Sequence, residues 1–83
     1  MITAGQIRAS RALLGIDQRT LAEAAGLSLP TIQRMEASEG VVRGNVDSLM
    51  KLIGALDALG IELMTDAVSS GGGRGVRLKR PAA

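Results

Sequence analysis

The residues able to do chemistry are defined first by what is missing. The sequence has no His and no Cys, which removes the commonest general base, the commonest metal ligand and every thiol nucleophile. It has no Phe, Tyr or Trp, so no base can stack on an aromatic ring as single-stranded nucleic-acid binders require. Besides carboxylates, the functional groups left are Arg and Lys charges and the hydroxyls and amides of Ser, Thr, Asn and Gln. These bind and orient rather than react. Gly71-Gly72-Gly73-Arg74-Gly75 has the glycines of a phosphate-cradling loop. It lacks the Lys-Ser/Thr pair and the following helix that such a loop needs, and reads as linker. Neither an enzyme nor a cofactor is expected.

Charge is unevenly placed. Ten Lys and Arg against eight Asp and Glu give a net +2. Arg74, Arg77, Lys79 and Arg80 supply four of the cations with no acid among them, leaving six bases and eight acids in the first 73 residues. The sequence pI of 9.9 therefore belongs to the tail, and any footprint on a polyanion must come from a few placed residues in the body.

A chain of 83 residues has one small core and little room for a deep substrate cavity. Met1-Ile2-Thr3-Ala4-Gly5-Gln6 carries neither a basic nor an apolar leader, and no apolar run approaches the length of a membrane span. The expectation is a cytoplasmic protein of a bacterium-like cell, with no membrane partner.

The elements that must position the polar residues are punctuated clearly. Thr3 with Gln6 forms a capping box, Ile7, Arg11 and Leu14 share one face of the first helix, and Gly15 ends it. Arg11 thus takes an inward place, where a lone charge is expensive and a carboxylate partner is required. Asp17 caps a second helix over 18–25, with Gly26 as its stop. Ser28 caps a third, with Pro30 tolerated in its first turn. After a loop over 37–44, Asn45 caps a fourth helix, with Val46, Leu49, Ile53 and Leu56 on one face and Leu52 beside them, as far as about Leu59. Gly60 stops it. The period then changes to two in 61–65 and 76–79, which predicts two short strands joined by a flexible loop.

From Gln18 to Ala37 the pattern is that of two helices crossing closely about a glycine turn. Leu21, Ala22, Ala25, Gly26, Leu27, Ile32 and Met35 fill the inward places of a twenty-residue helix-turn-helix. The surrounding residues Ile7-Arg8-x-x-Arg11, Gly15-Ile16-Asp17-Gln18, Ser28 and Thr31-Ile32-x-Arg34-Met35-Glu36 extend the match over roughly residues 3 to 59, about two thirds of the chain. In these residues the sequence resembles the Cro/repressor-type, or XRE, helix-turn-helix family. The resemblance implies a mainly α fold: a four-helix, lambda-repressor-like helix-turn-helix domain over 1–60. A short two-stranded β extension with a basic tail follows over 61–83.

The resemblance also implies roles. Gln18 matches a phosphate-gripping position, and Ser28, Leu29, Pro30, Thr31, Gln33 and Arg34 match the outward face of the recognition helix. Arg34 can donate twice to guanine O6 and N7, while Leu29 and Pro30 can offer only apolar contact, as to thymine methyls. Arg43 matches a backbone-contacting loop, and Arg11 with Glu36 matches a pair tying the first helix to the third. The function implied is a transcriptional regulator of double-stranded DNA, a repressor that binds a palindromic operator as a homodimer. In the alternatives, the chain is an antitoxin that also neutralises a toxin protein, or an adaptor module that has lost DNA binding.

The homodimer has a physical argument of its own. Alternation places Ile61, Leu63, Val76 and Leu78 on one face of the two strands, with Glu62, Arg77 and Lys79 on the other. An isolated hairpin is marginal in water and leaves two open edges. Pairing with the strands of a second chain would cover an edge and bury the apolar face. It would also set two recognition helices about 34 Å apart, one turn of DNA. In the alternative, the hairpin folds onto its own fourth helix.

Overall fold

The computed structural model describes residues 2–64 and 73–79. Four helices come first, α1 (Ala4–Leu14), α2 (Gln18–Ala25), α3 (Leu29–Glu36) and α4 (Val46–Ala58), followed by strands β1 (Ile61–Met64) and β2 (Gly75–Leu78). Each helix opens on a side-chain cap. Thr3, Asp17, Ser28 and Asn45 accept from the backbone N–H of Gln6, Thr20, Thr31 and Ser48. A cap of this kind stabilises by about 1 kcal/mol. Gly15 and Gly26 close α1 and α2 with φ of 67° and 68°, a left-handed conformation that a Cβ would strain.

The core gathers Ile2, Ile7, Leu21, Ile32, Leu52 and Leu56, all nearly inaccessible. Val46 keeps the period of α4 but is 70% exposed, because it opens the first turn immediately after the cap. Ala55 joins Leu49, Leu52 and Leu56 as the buried set of that helix, and Ile53 is half-buried. On α1 the buried polar residues Gln6 and Ser10 lie beside Ile7, and Leu14 is only half-buried.

The start of the chain pins the loop between α3 and α4. Ala4 N–H donates to the Gly40 carbonyl at 3.2 Å, and Val42 N–H to the Ile2 carbonyl at 3.0 Å. Thr3 and Val41 form an isolated antiparallel bridge. This fixes the backbone on which Arg43 sits.

The two strands pair with each other, antiparallel, with Ile61 opposite Leu78 and Leu63 opposite Val76. β2 begins at Gly75 rather than Val76, and Lys79 N–H donates to the Gly60 carbonyl at 2.7 Å just beyond the ladder. Thr65, the linker residues Ser69 to Gly72 and the tail cation Arg80 lie outside the described residues. The apolar face is not open, as the alternation alone suggested. Ile61 is part of the core, and Leu63 and Val76 are half-buried against it. β2 packs on α1 and β1 on α4. Only Leu78, 45% exposed, remains largely in solvent. Gln6 adds polar contacts to this packing: its Nε2 donates to the carbonyls of Met64 (2.9 Å) and Gly75 (3.1 Å) while its Oε1 accepts from Thr3 N–H at 2.9 Å. One capping side chain thus staples the loop end of the hairpin to α1.

Candidate nucleic-acid interface

α2 and α3 cross closely because Ala22 and Ala25 are buried where their backbones approach. Leu27 N–H closes the turn on the Ala22 carbonyl at 2.9 Å. With Leu21, Ile32 and Met35 facing the core, the other side of α3 must face out. There Ser28, Pro30, Gln33 and Arg34 are exposed, and Leu29 and Thr31 half-buried.

Three of these side chains form a row along one face, spaced by three residues. Ser28 Oγ lies 2.8 Å from Thr31 Oγ1, and Arg34 Nη2 donates to that Thr31 Oγ1 at 3.4 Å. Ser28 also caps the helix, accepting from Thr31 N–H at 3.3 Å. Arg34 is therefore steered along the helix surface while its other guanidinium donors face solvent. Next to it is a hollow of about 200 Å³ lined by Thr31, Arg34, Met35, Arg43, Gly44, Asn45 and Ser48. Two cations from different elements, Arg34 of α3 and Arg43 of the loop, meet there with a polar floor at the start of α4. Ser48 was not singled out from the sequence. The signal available was its place three residues after the Asn45 cap, which puts it on the first turn facing Arg43.

Behind this surface, Glu36 is buried, with its side chain 4% exposed. Its carboxylate accepts from Arg11 Nε at 2.6 Å and Arg11 Nη2 at 2.7 Å, a two-pronged pair, and from Gln18 Nε2 at 3.3 Å. Arg11 Nη1 also donates to the Ile16 carbonyl at 3.4 Å, and Arg8 Nη1 donates to the Glu36 carbonyl. The Glu36 hydrogen bond and charge hold the Arg11 guanidinium above its ordinary pKa, against the opposing pull of burial. The pair thus ties α1 to the end of α3, and through Gln18 to the start of α2. Gln18 keeps a second amide hydrogen and its carbonyl oxygen for an outside partner.

The basic C-terminal segment is partly committed within the molecule. Arg77 pairs with Glu62 and Lys79 with Asp57. The strand residues Ile61, Leu63, Val76 and Leu78 lie with the hairpin, apart from the surface around Arg34.

This arrangement, two crossed helices with a polar outward row ending in Arg34 on the second, meets its counterpart in sequence comparison. A helix-turn-helix family model matches residues 7–63. The chain belongs to the Cro/repressor-type (XRE) helix-turn-helix family. A comparison with curated proteins finds no match. Membership makes this helix-turn-helix protein a DNA-binding transcriptional regulator with double-stranded DNA as its partner. The four-helix body with its C-terminal hairpin is consistent with that family's fold. Among the described residues no helix is long and apolar enough to cross a membrane.

Proposed function

We propose that this helix-turn-helix protein is a repressor that reads a palindromic operator as a homodimer, with α3 in the major groove. The observation that carries the reading is the row Ser28–Thr31–Arg34 with Arg43 across the hollow. It gives one guanidinium aimed along a recognition helix and a second placed where a phosphate strand would border it.

The roles divide by chemistry. Arg34 reads a guanine edge. Thr31 and Gln33 supply hydrogen bonds to base edges or phosphates, and Leu29 and Pro30 supply apolar contact. Gln18, held from behind by Glu36, and Arg43 with Ser48 grip phosphates on either side, setting register without carrying sequence information. Ser28 orients Thr31. Repression by occupancy needs nothing beyond these contacts, since a bound protein excludes others from the same DNA.

Selection of bound sequences from a random duplex pool tests the reading. The expected result is two inverted half-sites, each containing a guanine, with centres about one helical turn apart. Recovery of no preferred sequence would refute specific readout, and a single unrepeated half-site would refute the palindrome.

A further inference from the structure

One strip of surface beside the hairpin plays no part in the DNA interface. Val46, Met50 and Ile53 follow one another along one side of α4. The first two are 70% and 57% exposed. Between that side and β1 runs a groove of about 260 Å³ lined by Ile53, Asp57, Ile61, Glu62, Leu63 and Lys79.

β1 borders this groove with an edge on which, among the described residues, no strand pairs. β2 covers its other edge, and the hydrogen bond from Lys79 N–H to the Gly60 carbonyl sets the phase of that ladder. Bonded and non-bonded partners alternate in an antiparallel pair. Glu62–Arg77 and Met64–Gly75 are then the bonded pairs, and Ile61 and Leu63 turn their N–H and C=O groups away from β2.

The charges flanking the strip cancel one another. Asp47 pairs with Lys51 at 3.3 Å, Asp57 with Lys79 and Glu62 with Arg77. A surface for nucleic acid needs cations left over for phosphates, and a surface for a strongly charged protein needs an excess of one sign. This strip is balanced, apolar along its middle, and bounded by a strand edge. Antiparallel pairing makes a strand edge complementary to itself about a two-fold axis, the symmetry of most homodimers.

We propose that the outer side of α4 and the free edge of β1 form the interface of a two-fold homodimer, β1 of one copy lying antiparallel to β1 of the other about Glu62. The inference rests on the homodimer named above and gives it a surface. Ile61 of each copy then bonds through its backbone to Leu63 of the other. The two Glu62 residues face each other as a non-bonded pair, each already neutralised by its own Arg77. Met50 and Ile53 are buried against the second copy.

Glu62→Cys is the direct test, because the parent has no Cys. Non-bonded antiparallel partners sit about 4.5 Å apart at Cα, within disulfide reach. Mild oxidation of this variant is expected to yield a covalent dimer, while Ala12→Cys, at an exposed position of α1, stays monomeric under the same conditions. In sedimentation equilibrium at micromolar concentration, the parent is expected to dimerise. Met50→Glu should raise its dissociation constant about 100-fold or more by burying an unpaired carboxylate. Met50 is exposed in the single chain, so the helical circular dichroism of this variant should match the parent. A monomeric parent, a Met50→Glu protein as dimeric as the parent, or Glu62→Cys cross-linking no faster than Ala12→Cys would each overturn the proposal. All these readouts are made without DNA. A protein that dimerises this way but binds no duplex would support the interface while refuting the function proposed above.

Discussion

At Glu36 one buried carboxylate meets Arg11 and Gln18, residues from two other elements, and the outcome of removing either charge follows from that crowding. Breaking a buried pair by deleting one partner destabilises by roughly 3–5 kcal/mol. Arg11 keeps 21% of its side chain in solvent, so Arg11→Met falls at the lower end, about 3 kcal/mol. Thermal unfolding followed by circular dichroism reads it, since no Trp or Tyr reports at 280 nm. A melting temperature equal to the parent's would contradict the buried pair. Arg34 carries the second prediction at this scale. Arg34→Ala should weaken binding to the selected site by about 1–3 kcal/mol and relax the base choice at one position. Unchanged affinity and unchanged selected sites would remove Arg34 from base readout. Asp17 carries a pH prediction. The Thr20 backbone N–H, donating at 2.7 Å, holds its carboxyl below the ordinary value of 3.8. A carboxyl lowered on folding stabilises above its unfolded pKa and loses that contribution as pH falls through the lower, folded one. The parent should therefore lose stability on acidification below the ordinary carboxylate range. Asp17→Asn should lose less over that same range, measured as the difference between the two pH–stability curves.

At the scale of elements, the turn between α2 and α3 depends on one conformation. Gly26 has φ 68° with no atom within 4 Å of an added Cβ, so the penalty for a side chain there is backbone strain alone. Gly26→Ala should cost about 1 kcal/mol, read as a lower midpoint in urea with unchanged slope. A loss several-fold larger would indicate that the crossing of α2 on α3 has shifted as well. The same locality explains what the sequence made legible. Thr3, Asp17, Ser28 and Asn45 announce the helices because a cap needs only its own neighbours. Gly15 and Gly26 announce the ends for the same reason. The alternation of 61–65 and 76–79 indicates two strands but not what covers them, because their cover is α1 and α4, decided by packing at long range. The two carbonyl partners of Gln6 lie 58 and 69 residues away, and no local pattern encodes them. Val46 fits the helical period and still faces solvent, since periodicity describes a helix's faces and not how far the core reaches along it. Within the candidate site, the polar row on α3 that ends in Arg34 is legible from the motif. The hollow joining it to Arg43 and Ser48 required the fold.

For the whole molecule, formal charge overstates the field available to DNA. Arg77 and Lys79 are turned toward Glu62 and Asp57, whereas Arg43 lines the hollow beside α3. The salt dependence of binding counts neutralised phosphates at about −0.9 in log–log slope for each on B-DNA. Arg43→Met should therefore make the slope shallower by about 1. Lys79→Met should leave the slope unchanged, and lower stability by about 0.2–1 kcal/mol, as an exposed ion pair does. Equal changes in slope for the two variants would mean that the basic segment, rather than the α3 surface, carries the phosphate contacts.

The Gln6 staple has a consequence for a chain made from one end. During synthesis the capping box of α1 can close as soon as Thr3 and Gln6 leave the ribosome, yet the carbonyls that take the Gln6 amide hydrogens include that of Gly75. Until residue 75 has been added, the nascent helix holds a donor that the folded interior would leave empty. A chain stopped short of that point keeps the Met64 acceptor but lacks the Gly75 carbonyl, so one of the two Gln6 amide hydrogens is without the partner it has in the full fold.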